Sequence, residues 1–163
     1  MRFNSLLSFA AVLFAGASCA QSVPPSIRQT HFVEEYEYFT TDAQYEEWFA
    51  LTTALRSDFD AICGDTFCEG DYSNLQSLSF DCSVERASGR IGRCVWIFAG
   101  SYEEISPASG AITVNARTWN CPTPLAPRTT MAELLAALNV SHPLQAPLPR
   151  TQTTVYDGLT DCL

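Results

Sequence analysis

The chain is predicted to be α+β: a long N-terminal helix packed on a curled antiparallel sheet of three to five strands, with a second short helix and three disulfides. Three observations predict this. Residues 41–62 carry one helical stripe of apolar side chains, residues 78–121 break into three strand-like segments separated by turn residues, and six cysteines follow an export-type leader. Helix and strand patterns that are segregated along a chain, rather than alternating, place the helices together on one face of an antiparallel sheet.

The first 20 residues have the three parts of a secretory signal: Arg2 as the positive start, Leu6 to Gly16 (LLSFAAVLFAG) as the apolar core, and Ser18-Cys19-Ala20 as small residues before a cut. The apolar run is too short to span a bilayer, and no later stretch reaches the ~18 apolar residues a span needs. Cleavage is expected after Ala20; Cys19 is the alternative, as a lipidated N-terminus, although Gly16 stands where such signals carry Leu. Residues 21–30 (QSVPPSIRQT) read as a leader and residues 31–163 as one disulfide-braced domain, a length that supports a real core. Removal of the first 20 residues leaves eight Arg against 18 Asp and Glu, a net charge of −10.

Within the domain, residues 31–39 (HFVEEYEYF) place Phe32, Tyr36 and Tyr38 on one parity and Glu35 and Glu37 on the other, the pattern of a short half-exposed strand. Thr41 with Gln44 three residues on makes a capping box. Tyr45, Trp48, Phe49, Thr52, Leu55, Phe59 and Ile62 then recur at three- and four-residue steps, Glu46, Glu47, Ser57 and Asp58 fall elsewhere, Arg56 sits at the stripe's edge, and Gly64 stands where a left-handed stop residue belongs. Leu78 to Glu85 alternates at every step, as a half-buried strand does. Ile91 to Tyr102 is apolar on both parities, as a central strand is, and Ala111 to Cys121 makes a third strand that Pro122, Pro124 and Pro127 stop. Thr130 with Glu133 caps a second short helix containing Leu134, Leu135 and Leu138, and Thr151 to Tyr156 is expected to add a strand before the tail. This order resembles the cystatin and nuclear-transport-factor-2 packings in architecture; no motif accompanies the likeness, so it implies no function.

Cys63, Cys68, Cys82, Cys94, Cys121 and Cys162 are an even set in an exported chain, and an oxidising compartment pairs them. If Glu85 faces Ile91 across the turn, opposed residue numbers sum to a constant that Cys82 and Cys94 also satisfy. Phe80 then faces Trp96 and Leu78 faces Phe98. The hairpin therefore predicts Cys82–Cys94; Cys63–Cys68 is the local pair past the helix end, and Cys121–Cys162 follows by elimination.

The composition excludes some classes. Acidity and the absence of Lys argue against nucleic acid, whose phosphates need clustered cations. No CxxC pair, no GxSxG and only His31 and His142 give no zinc site or Ser-His-Asp triad, and no cofactor is expected. Asp58, Asp60, Asp65, Glu69 and Asp71 crowd one stretch, but a calcium loop begun at Asp65 would have Phe67 third and Gln76 twelfth, where a bidentate Glu is required. Eighteen acids always supply some pair at glycosidase spacing, so no such pair is assignable. Asn139-Val140-Ser141 is a glycosylation acceptor if the host is eukaryotic. Trp96, Trp119 and Tyr102 are pocket candidates, although aromatic residues on long strands are more often core.

The expected function is that of a small acidic secreted binding protein (an inhibitor, a toxin-neutralising partner or an effector) whose partner is a basic protein. Its acidic surface candidates are Glu34, Glu35, Glu37, Glu46, Glu47, Asp65, Glu69 and Asp71. The alternative is an exported hydrolase or small-ligand binder with a pocket between helix and sheet, holding polar groups such as Asp81 or His142.

Overall fold

The computed structural model describes residues 30–163; the expected export signal and the expected leader before Thr30 lie outside the described residues. In chain order the elements are β1 (Phe32–Glu34), α1 (Glu35–Tyr38), α2 (Asp42–Cys63), β2 (Gln76–Glu85), β3 (Ile91–Ile105), β4 (Ile112–Pro122), α3 (Met131–Leu138) and α4 (Val155–Thr160). The strands pair antiparallel in the order β1-β2-β3-β4, an open meander, so the fold is α+β as expected.

The region expected as one strand over 31–39 is instead three strand residues and one helical turn. Phe39 N donates to Glu35 O at 3.0 Å, which closes the turn and carries Phe39 into the core. The parity is also the reverse of the expected one: Val33 and Glu35 point inward while Phe32 and Tyr36 are exposed.

Helix α2 starts where its capping box places it, with Gln44 N donating to Thr41 Oγ1 and the Gln44 side chain accepting from Thr41 N. Its buried line is Trp48, Leu51, Leu55, Phe59 and Cys63, rotated from the expected stripe. Phe49 is 69% exposed, and the Tyr45 hydroxyl donates to Tyr36 O (2.9 Å) and Phe39 O (3.2 Å), so that ring covers α1 and not the sheet. Leu51 is buried because it faces α3, a neighbour that local periodicity does not reveal. Gly64 is right-handed (φ −60°), not left-handed; the Cys63–Cys68 loop ends the helix instead, with Cys68 N donating to Cys63 O at 2.7 Å.

The inner face of the sheet offers Phe80, Cys82 and Val84 from β2, Cys94, Trp96 and Phe98 from β3, and Trp119 and Cys121 from β4. The Phe59 ring lies tilted 4.7 Å from Phe98 and 5.8 Å from Trp96, and Trp48 lies 5.7 Å from Phe80. Met131, Leu134 and Leu138 of α3, with Leu144, Leu148, Val155 and Leu159, complete the same cluster.

All three predicted disulfides form: Cys63–Cys68, Cys82–Cys94 and Cys121–Cys162. The expected register holds from Ser79 to Ser83, with Cys82 opposite Cys94 and Phe80 opposite Trp96, and slips by one residue at each end. Ser77, not Leu78, faces Phe98, and Val84, not Glu85, faces Ile91. The first slip has a physical reason. A buried indole N–H needs an acceptor, and Ser77 Oγ receives Trp96 Nε1–H at 2.8 Å in the core, leaving Leu78 bulged outward and 54% exposed.

The tail holds no strand over Thr151–Tyr156. A lone bridge joins Pro147 to Thr154, and Thr154 with Asp157 forms a third capping box that opens α4. Gly158 lets α4 sit against the end of β4: a Cβ there would lie 3.1 Å from Pro122 O and closer still to the Pro124 ring. That approach brings Cys162 to Cys121, with Cα atoms 5.5 Å apart.

Candidate binding surfaces

Charge is unevenly divided along the chain. Residues 34–71, which hold α1, α2 and the loop beyond, carry eleven acids and one Arg, a net of −10; residues 72–163 carry seven acids and six Arg, a net of −1. Within the acidic segment Glu34, Glu37, Glu46, Glu47, Asp65, Glu69 and Asp71 are all exposed, as are Asp42 and Asp60. Glu37 pairs with Arg86 at 3.2 Å; Glu46, Glu47, Asp60, Asp65, Glu69 and Asp71 make no ion pair among the described residues.

Glu35 is a correction: it is not on the surface. Its side chain is 2% exposed and accepts from Cys82 N at 2.8 Å. The cause is topological. Strand β1 pairs with β2 only as far as Glu34 opposite Ser83, so the next outward N–H of β2, at Cys82, has no strand carbonyl to meet. The Glu35 carboxylate takes that place. Burial pushes its pKa up, and the Cys82 N–H bond opposes the rise. Sequence parity alone gave no sign of this, because the residue is set inward by the turn that follows β1.

Asp58 is a second acid with a structural partner. Its Oδ2 accepts from Leu144 N at 3.1 Å and its Oδ1 lies 3.0 Å from His142 Nδ1. It fixes the crossover from α3 to α4 against α2, and His142 remains exposed and does not line the α2–β2 cleft. The carboxylates of residues 58–71 do not converge: among the described residues no three His, Cys, Asp or Glu side chains gather as a metal site. At α3, the Thr130 N–H and hydroxyl donate to Glu133, hold its pKa below the ordinary carboxylate range and complete that cap. Asn139 is exposed just past the end of α3.

Between α2 and β2 lies a cleft of about 340 Å³. Trp48, Phe80 and Trp96 form its floor, the exposed side chains of Tyr36, Phe49 and Leu78 its rim. Asp81 and Arg56 are the charged groups lining it, and Arg56 Nη2 donates to Ser77 O at 2.6 Å, closing one end. Trp119, by contrast, is a buried core residue under which Arg117 stacks at 4.9 Å. A second groove of about 520 Å³ runs between α2 and α3, lined by Leu51, Leu135 and Val140 among others. Among the described residues no helix is long and apolar enough to cross a membrane. Compared with known proteins, the chain matches no family model, and no curated protein or solved structure matches it.

Proposed function

We propose that this is a small acidic binding protein of the extracellular or periplasmic space that acts by docking a basic protein partner onto the face formed by α2 and the loop after it. The observation that carries this reading is the segregation of charge: eleven acids and one Arg over residues 34–71, eight of the nine exposed acids without an ion pair among the described residues. A fixed patch of one sign steers an oppositely charged partner and accelerates encounter, with a strong dependence on ionic strength. Three disulfides supply the rigidity that preserves such a patch outside the cell. The test is to recover partners from the surrounding extracellular fraction on the immobilised chain and measure association kinetics with each. The reading predicts that Glu46→Gln/Glu47→Gln/Asp60→Asn lowers the association rate about tenfold or more at low salt and leaves dissociation little changed. Partners that are acidic, or rates indifferent to both salt and the triple variant, would refute it.

A second reading rests on the α2–β2 cleft, whose aromatic floor and apolar rim suit a small flat ligand. Titration with anilinonaphthalene sulfonate, followed by Trp fluorescence, tests it: Phe49→Ala weakens saturable binding if the cleft is the site, and unsaturable binding counts against it.

A further inference from the structure

We infer that the free edge of β4 is an interface between two copies of this chain, paired antiparallel about a two-fold axis at Ala116. Strand β4 is the last in the sheet, and its residues from Ile112 to Thr118 are exposed. The direction of its main-chain groups follows from the ladder. Cys82 and Cys94 oppose each other with Cα atoms 4.1 Å apart, the close spacing of a pair that does not exchange hydrogen bonds. Cys94 therefore turns its polar groups toward β4, and its carbonyl accepts from Thr123 N at 2.9 Å. Alternation along β3 then bonds Trp96, Phe98, Gly100, Tyr102 and Glu104 to Cys121, Trp119, Arg117, Asn115 and Thr113. The N–H and C=O groups of Ile112, Val114, Ala116, Thr118 and Asn120 point to the open edge.

Natural proteins guard such an edge with Lys, Pro or a bulge. Between Ile112 and Cys121 there is no Pro and one charge, Arg117, and the β3–β4 register runs unbroken from Val95 to Ile105. The edge also belongs to an exposed arm. Strand β2 reaches β3 only as far as Ala99, so Gly100–Ile105 and Ile112–Arg117 form a two-stranded ribbon whose Ile105 and Ile112 are each 64% exposed and Val114 59%. An isolated two-stranded ribbon is marginal in water and gains from added strands.

A second copy fits this edge for two reasons. The first is charge: each copy carries −10 over residues 34–71, while β4 contains no acid, so β4 is where two copies approach with least repulsion. The second is self-complementarity. With Ala116 against Ala116 of the second copy, Val114 meets Thr118 and Ile112 meets Asn120, so every outward group finds a partner and about ten main-chain hydrogen bonds form. On the other face Arg117 meets Asn115 and Trp119 meets Thr113, so no like charges oppose. The small Ala116 side chains sit on the axis.

Light scattering on the purified mature chain, at concentrations up to about 100 μM to reach micromolar affinities, decides the state; twice the chain mass is expected. Ala116→Pro removes an N–H that the monomer does not use and should halve that mass while leaving the near-ultraviolet circular dichroism intact. If that variant does not fold, Ala116→Arg, which sets two guanidinium groups on the axis, makes the same test. Amide exchange at Val114, Ala116 and Thr118 should be slow in the wild-type dimer, and exchange at Val114 and Thr118 should be fast in either variant. A monomeric wild type, a dimer that survives the folded variants, or a dimer whose three amides exchange freely would each overturn the proposal.

Discussion

Residues Ile91–Ala99 and Gly100–Ile105 belong to one strand, β3, and lead different lives. The first stretch has β2 on one side and, from Val95 on, β4 on the other, and turns Cys94, Trp96 and Phe98 into the core. The second has β4 as its only strand neighbour among the described residues, with Asn74 bonded to Ser101 on the other side, and its strand partners from Ile112 to Arg117 are exposed on both faces. Ile91–Tyr102 is apolar on both parities, yet full burial ends at Phe98, beside the end of β2. Position in a sheet, and not the strand's own composition, decides what a side chain contributes. Stability should accordingly concentrate in the first stretch and in the helix that covers it.

The largest effect is expected where α2 meets that stretch. Phe59 is fully buried against Trp96 and Phe98. Phe59→Ala should cost about 3–5 kcal/mol, as large aromatic truncations in a core do. Urea melts of the oxidised protein check this. A loss as small as that of a surface change would mean that the helix does not pack on the proximal half of β3 as described.

Glu35→Ala should cost about 1–3 kcal/mol, because it removes the acceptor for Cys82 N–H at a buried position. Glu35→Gln keeps an acceptor and separates the charge from the hydrogen bond. Burial raises the Glu35 pKa in the folded state, so the folded protein favours the protonated form. That contribution is fully present below the unfolded pKa and is lost as pH rises through the folded one. Wild type should therefore gain on Glu35→Gln as pH falls from neutral into the ordinary carboxylate range. Melts of both proteins at several pH values measure the difference, and an opposite trend would contradict the buried placement.

Gly158→Ala tests the other brace on the body. The new methyl must displace the Pro124 ring or the Pro122 carbonyl where α4 meets the end of β4, and overpacking of this kind costs about 1–3 kcal/mol. The thermal midpoint of the variant reads this, with an unchanged midpoint meaning that α4 has room to move.

Local chemistry and symmetric arithmetic were legible in the sequence; what depended on a distant neighbour was not. The caps at Thr41 and Thr130 each need one side chain and an N–H three residues away, and both are where the sequence put them. The Thr154–Asp157 box was equally readable, as a Thr-x-x-Asp before an apolar turn, and a strand assignment to the same residues hid it. The Cys82–Cys94 register follows from spacing alone across the turn. By contrast, the bulge at Leu78 exists because Trp96 needs Ser77, and the burial of Glu35 exists because β1 stops one residue short of Cys82. Leu51 is core only because α3 arrives from more than 70 residues later. Of the acidic surface candidates, Glu35 alone is not exposed, and it is the one whose side chain replaces a missing strand.

The smallest effect is expected at the tip of the arm. Ile105 pairs with Ile112 as the last rung of β3 and β4, beyond the reach of any helix contact, and both side chains stand mostly in water. A cross-strand apolar pair of this sort is worth about 0.2–1 kcal/mol, so Ile105→Ser should shift the folding free energy of the single chain by less than about 1 kcal/mol. The contrast with Phe59→Ala then measures how unevenly one strand is anchored. The comparison must be made on Ala116→Pro, whose unpaired edge leaves the arm without a neighbouring copy, because pairing would add its own term to any change at the tip. If Ile105→Ser in that background cost as much as Phe59→Ala, the distal half of β3 would be as deeply integrated as the proximal half, and the distinction between body and arm would fail.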